Sequence, residues 1–246
     1  MRKKRRNNTF KWIVFIVFCL IIWILFKNFN AFLNENKSNN ENSSTTTTTI
    51  VSIQYETKKI NEEKEAYTIN VSYPYFNIAF IDDNIDSFIH KSIEDFKNYT
   101  EPPVSSSYKN VLDIVYDAYL VSDNIISIRF IDAVYTGGAH GSQQVATKNF
   151  DLKTGREIQL KYLFKNDTYI EYISDKAIEK LDSDNISEIH WIQDGAGPKY
   201  SNFENFTYGK NGDSFIFHFN PYQVAPYSEG IVTFELPVED LKEFLR

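Results

Sequence analysis

The chain has 246 residues, 33 Asp and Glu against 26 Lys and Arg, and a formal net charge of −7. An acidic balance excludes a protein held to nucleic acid by phosphate contacts. A single cysteine excludes a disulfide framework, a thiolate metal site and, since Cys19 lies in an apolar run, a cysteine nucleophile in the polar remainder.

Residues 1–11 hold Arg2, Lys3, Lys4, Arg5, Arg6 and Lys11 and no acid, and Trp12 to Phe26 carry no polar side chain. Fifteen helical residues reach about 22 Å, short of a ~30 Å hydrocarbon core. Phe10, Phe29 and Phe32 extend the apolar length, and Lys11 and Lys27 can snorkel to the interface. A cleaved signal peptide is the competing reading, but KNFNAFLNEN offers no well-placed pair of small residues for cleavage. The flanks favour an uncleaved single transmembrane anchor over residues 12–33, with a basic cytoplasmic tail at 1–11 and everything later outside the cell. From residue 34 onward the chain carries 19 positive and 33 negative side chains, a formal net of −14. Such a domain is repelled by nucleic acid and attracts a cationic partner, the more so at low salt.

Residues 34–50, rich in Asn, Ser and Thr, read as a flexible linker. Globular composition begins at Val51. IVSIQYET (50–57) and AYTINVSYP (66–74) alternate as strands. Ile85, Phe88, Ile89, Ile93 and Phe96 are spaced for a helix capped by Asp82 or Asp83 and ended by Glu101-Pro102-Pro103. Residues 111–135 predict two strands joined at Ser122-Asp123-Asn124, and a strand–turn–strand centres on Lys153-Thr154-Gly155. A second amphipathic helix is expected over Tyr169–Leu181, then a hairpin turning at Asn211-Gly212, a strand IVTFEL and a carboxy-terminal helix VEDLKEFLR. The fold class is α+β, mainly antiparallel sheet with two or three packed helices, without βαβ regularity.

Two stretches invite chemistry. YTGGAHGS, Tyr135 to Ser142, lacks the lysine and following helix of a phosphate loop, and Ser142 lacks the G-x-S-x-G frame of a nucleophile elbow. His140 is the weak catalytic candidate, as a general acid or base with Asp132, Asp194 or Glu204 as the orienting carboxylate. Against that, Gly137 and Gly138 suit backbone angles closed to other residues, with His140 bonded to neighbouring main chain. NPYQVAPYSEG, Asn220 to Gly230, holds two Pro-Tyr pairs. Its prolines make it a rigid non-sheet excursion, serving as a corner of the core or as a tyrosine contact surface. The candidate binding residues are Tyr135, Gly137, Gly138, His140, Tyr222 and Tyr227. His90, His140, His190 and His218 show no metal-ligand spacing, so no metal and no cofactor is expected.

YTGGAHG (135–141), NFDLKTGREIQLKYLF (149–164) and FHFNPYQVAPYSEG (217–230), in that order, resemble the extracytoplasmic domain shared by RsiV-type anti-sigma factors and PdaC-type peptidoglycan deacetylases. The resemblance covers residues 51–246, with 51–145 and 146–246 as two halves of the domain. It implies an α+β external module on a single-pass anchor which, in RsiV members, binds lysozyme. Eleven residues before the anchor are fewer than a sigma-binding segment needs, and no deacetylase domain follows the module. The resulting expectation is a membrane-anchored external binding or sensing protein of a Gram-positive-type bacterium. Its partner would be a cationic protein such as lysozyme, or a cell-wall component. The alternative is a wall-active hydrolase or deacetylase working through His140 and a carboxylate; the missing catalytic constellation weighs against an enzyme.

Overall fold

Isoleucines at 81, 85, 89 and 93 recur every fourth residue and so lay one apolar stripe along a helix. In the computed structural model, which describes residues 55–100, 108–121 and 124–246, that stripe organises the first half. Helix α1 (Ala79–Thr100) follows strands β1 (Glu56–Glu63) and β2 (Tyr67–Tyr75). After it come β3 (Asn110–Val121), β4 (Ile125–Tyr135), β5 (Ser142–Asp151) and the short β6 (Arg156–Glu157). The six strands lie in chain order in one sheet. Every neighbouring pair is antiparallel except β2 and β3, which run parallel because α1 carries the chain back along the sheet. One βαβ crossover is therefore present within a sheet that otherwise lacks βαβ regularity. The α1 isoleucines and Phe96 pack on alternate residues of the sheet, including Ile69, Val71, Leu112, Ile114, Ile126, Ile128 and Phe130.

Asp82, expected as the cap, lies inside the first turn and is buried. Its carboxylate accepts the N–H of Phe76 (2.8 Å) and of Ile78 (2.7 Å), satisfying donors at the helix entry from within. Of the strand expected over residues 50–57, residues 50–54 lie outside the described ones, while Glu56 and Thr57 open β1, which continues to Glu63. This edge strand, ETKKINEE, has only Ile60 as an apolar residue, and it is specified by pairing with β2 rather than by alternation. Its lysines and glutamates also discourage pairing with another chain.

The second half runs through α2 (Leu160–Leu163), α3 (Tyr169–Ser183) and α4 (Ile189–Gly195) into β7 (Phe206–Tyr208), β8 (Ser214–Phe219) and β9 (Val232–Pro237). The last three form an antiparallel sheet, and Gly212 takes φ +74° in the β7–β8 turn. Ile173, Ala177 and Leu181 of α3 share a core with Phe206, Phe215, Phe217, Phe219 and Phe234. The α+β class with mainly antiparallel sheet holds; α2 and α4 are additions. The carboxy-terminal helix is corrected to a single 3-10 turn, Val238–Leu241. Beyond it the main chain pairs outward: Lys165 N–H donates to Phe244 O (2.9 Å) and Arg246 N–H to Leu163 O (3.0 Å).

A ladder of side chains joins the two sheets. β7 is an edge strand, and the face of the larger sheet takes up its main-chain groups. Thr147 Oγ1 accepts the N–H of Phe206 (2.9 Å), and Asn149 Nδ2 donates to Phe206 O (2.8 Å). Ser127 Oγ accepts the N–H of Tyr208 (3.0 Å) and donates to Asn149 Oδ1 (2.5 Å), while the Tyr119 hydroxyl donates to Tyr208 O. A buried edge left unpaired would be costly, and these polar residues remove that cost. The described residues all belong to one compact unit, and the midpoint expected between residues 145 and 146 falls inside β5. The basic tail, the expected anchor (12–33) and the linker (34–50) lie outside the described residues. Among the described ones no helix is long and apolar enough to cross a membrane.

Candidate functional site

The β4–β5 connection contains the glycine motif. Gly137 and Gly138 both take φ +97°, a conformation that L side chains avoid. A Cβ on Gly137 would also lie 2.1 Å from Tyr108 Cζ, so the tyrosine ring rests directly on the glycine. Tyr108 meets Tyr135 edge-on, with centroids 5.8 Å apart, and the Tyr135 hydroxyl donates to Gly138 O (3.2 Å).

The Pro-Tyr segment folds against this turn. The imidazole of His140 stacks on the Tyr227 ring at 4.3 Å and 24°, and the Tyr227 hydroxyl donates to Gly141 O (2.8 Å). His140 Nδ1 lies 2.7 Å from the same carbonyl, which requires the proton on Nδ1. Tyr222 continues the row 5.5 Å from Tyr227. It is 57% exposed and held at φ +69°, an uncommon angle for a tyrosine, with its carbonyl accepting from Trp191 Nε1 (3.0 Å).

Polar side chains fix the loop from below. Asn220 Oδ1 accepts the N–H of Val145 (2.6 Å), tying the loop to β5. Gln223 Nε2 donates to Gly195 O and to Asn202 O, both at 3.0 Å. Gly195 is needed there, because a Cβ would stand 1.8 Å from Gln223 O. Val224 and Ala225 enter the core. The segment is thus a core corner through Val224 and Ala225 and an aromatic surface through Tyr222 and Tyr227.

All six candidate binding residues fall in this neighbourhood. Tyr135, Gly141 and Tyr227 border one depression of about 180 Å³, shallow ground for a small substrate. The carboxylates considered for His140 point elsewhere. Asp132 lines a cavity under α1, Asp194 is exposed on α4, and Glu204 borders a groove with Tyr200. Trp191, Tyr108, Asn220 and Gln223, which complete the platform, were missed; the Asn-Pro-Tyr-Gln run was the available signal for two of them. Among the described residues no cluster of three His, Cys, Asp or Glu is placed to hold a metal.

A larger cleft of about 760 Å³ opens between the two sheets, bordered by Asp117, Arg129, Thr207 and His218. His218 is buried, its Nε2 is 2.9 Å from Thr207 Oγ1, and its Nδ1 has no hydrogen-bond partner. Burial and then the Arg129 charge push its imidazole down to about 4, with Asp117 opposing. It is a neutral core group at physiological pH.

Comparison with known proteins places these features. The model of the family described as deacetylase PdaC matches residues 60–143, and that of a protein of unknown function, DUF3298, matches residues 161–239. The peptidoglycan-N-acetylmuramic acid deacetylase PdaC of Bacillus subtilis (strain 168) is 26% identical over 192 residues, 76% of this chain and 40% of its own length. The anti-sigma-V factor RsiV of the same organism is 24% identical over 197 residues, 76% of this chain and 68% of that protein. The chain thus spans well under half of the deacetylase. A DUF3298 family structure from Bacteroides fragilis aligns with a TM-score of 0.57 and 21% identity over 78% of this chain and 93% of the other. One from Pseudomonas aeruginosa PAO1 aligns at 0.56 and 12%, over 78% and 95%. These two likenesses show the fold.

Proposed function

Since the chain belongs to the extracytoplasmic domain family shared by RsiV-type anti-sigma factors and PdaC-type deacetylases, we propose that it is a membrane-tethered external module that binds a cationic protein of the lysozyme type. The observation that carries this reading is the platform of Tyr222, Tyr227 and His140. Its rings are presented at the surface and locked from beneath by Asn220, Gln223 and Trp191. Rigid aromatic groups lose little entropy on binding and are favoured as anchors of protein interfaces. The formal charge of −14 beyond residue 33 supports a cationic partner and speeds its approach. Residues 12–33 would hold the module at the membrane, with residues 1–11 in the cytoplasm and 34–50 as the tether.

Calorimetric titration of residues 51–246 with hen egg-white lysozyme tests the proposal. Binding is expected at ionic strengths of about 0.01 M and 0.15 M, where the screening length falls from about 30 Å to about 8 Å, and is expected to be tighter at the lower. The double variant Tyr222→Ala/His140→Ala should bind at least about tenfold more weakly, the loss of one interface anchor. No binding at either salt would rule out the lysozyme-type partner and leave a cell-wall component as the ligand to test.

A further inference from the structure

Under α1 lies a second concavity, about 430 Å³, with Phe88 and Phe96 from the helix and Leu112 and Val134 from the sheet among its walls. Asp132 of β4 borders it, and Asp132 Oδ1 is buried with no hydrogen-bond partner. A carboxylate oxygen withdrawn from water and left unpaired is costly. A positive charge placed in the cavity beside the carboxylate offsets that cost by favouring its ionised form. Among the described residues, the one cation bordering the cavity, Lys91, is already engaged with Asp95 at 2.8 Å.

We infer that Asp132 and these apolar walls form a receptor for one basic side chain, lysine or arginine, of the partner protein. The inference rests on the binding reading above and specifies how a cationic partner is held. The walls cover the methylene stem and Asp132 receives the charged head, a division such side chains favour. An anion would meet the charge of Asp132, and an uncharged apolar group would leave its oxygen unpaired. The cavity opens on the α1 face of the sheet and the depression beside Tyr135 and Tyr227 on the other, both at the β4–β5 end, where Val134 and Ser142 border each of them.

Among the described residues, titratable groups at the cavity besides Asp132 come from one element. From α1 come Lys91, Asp95 and Tyr99; the residues of β3 and β5 at the cavity, Leu112, Ser142, Gln144, Val145 and Ala146, do not titrate. Burial holds the Asp132 carboxyl up at about 6, so the empty pocket is partly protonated in mild acid. A bound cation favours the ionised form and must lower that value.

The experiment uses the full chain with Asp132 observed by carbon NMR. Butylguanidinium and butylammonium are titrated in, with butanol as the uncharged control. Both cations, and not butanol, should move the Asp132 carboxyl resonance and lower its titration midpoint by about one unit, a tenfold preference for the ionised form. In parallel, Asp132→Asn should bind hen egg-white lysozyme at least about tenfold more weakly while melting no lower than wild type. Below pH 6 the wild-type affinity should fall relative to that of the variant. A carboxyl resonance that neither cation moves overturns the pocket. So does an Asp132→Asn variant that binds lysozyme as tightly as wild type. If wild type fails to bind lysozyme at all, the partner reading falls, and the cation titration alone decides the pocket.

Discussion

The two sheets arrange their buried side chains differently. Beneath α1, Ile69, Ile81, Ile85, Ile89, Ile114, Ile126 and Ile128 are all fully buried and run between rings such as Phe96, Phe130 and Phe150. Around β7–β9 rings meet rings: Phe164 stacks on Tyr169 at 3.9 Å, Phe203 meets Phe217 edge-on at 5.5 Å, and Phe217 lies 6.0 Å from Phe234. The isoleucines are drawn from repeating positions of long elements. The ring contacts of the second core are collected largely from short strands and loops, so it depends on large rings to fill space that short elements leave. Different arrangements should fail differently.

The largest effect is expected at Phe217, which is fully buried among the rings of Phe203, Phe206 and Phe234. Phe217→Ala should cost about 4 kcal/mol in urea unfolding, and Ile89→Ala in the other core about 3 kcal/mol. If the cores are energetically separate, the double variant adds to within about 0.5 kcal/mol. A clear departure from additivity would show the comparison to be superficial.

Asn149→Ala strikes the joint between them. It leaves Phe206 O and the Ser127 hydroxyl without their partner in a buried place, at an expected cost of about 2 kcal/mol. Hydrogen exchange should show β7 amides losing protection before those of β4. Equal loss in both strands would mean that the ladder is not the weak seam.

The smallest net effect concerns pH, because Asp132 in one sheet and His218 in the other both shift into the range between pH 4 and 6 and oppose each other. Burial raises Asp132 from an ordinary 3.8 to about 6, while His218 is lowered from 6.5 to about 4. Ionised Asp132 weakens the fold above pH 6, and that cost fades as pH falls from 6 toward 4. His218 acts in the other direction. The unfolded chain takes up a proton that the folded imidazole refuses, so stability drains as pH falls from 6.5 to 4. Between pH 4 and 6 the pair nearly cancels. Asp132→Asn should raise stability at pH 7 by about 1–3 kcal/mol and expose the His218 slope, up to about 1.4 kcal/mol per pH unit. Parallel urea midpoints for variant and wild type across that interval would refute the assignment.

Several elements were legible because local periodicity and tertiary burial agree. Ile85, Ile89 and Ile93 predict α1, Ile173, Ala177 and Leu181 predict α3, and Asn211-Gly212 marks its hairpin. Misreadings cluster where partners distant in sequence decide. Asp82 looked like a cap outside the helix and instead caps from within, which hid Ile81 as a core residue. ETKKINEE became a strand through β2, and VEDLKEFLR lost its helix because its end pairs with residues 163–165. The site divides the same way. YTGGAHGS and NPYQVAPYSEG each announced an unusual backbone, through glycines at φ +97° and a tyrosine at φ +69°.

Composition and periodicity alone determined the acidic balance, the α+β class, the main helices and the two motifs worth attention. These follow from charge, spacing and backbone sterics, which act over a few residues. Tertiary structure decided that His140 meets Tyr227 rather than a carboxylate, and that Asp132 borders a cavity with one oxygen unpaired. Those facts depend on which surfaces are brought together and dried. That outcome is set by contacts such as Asn220 to Val145, between residues 75 positions apart.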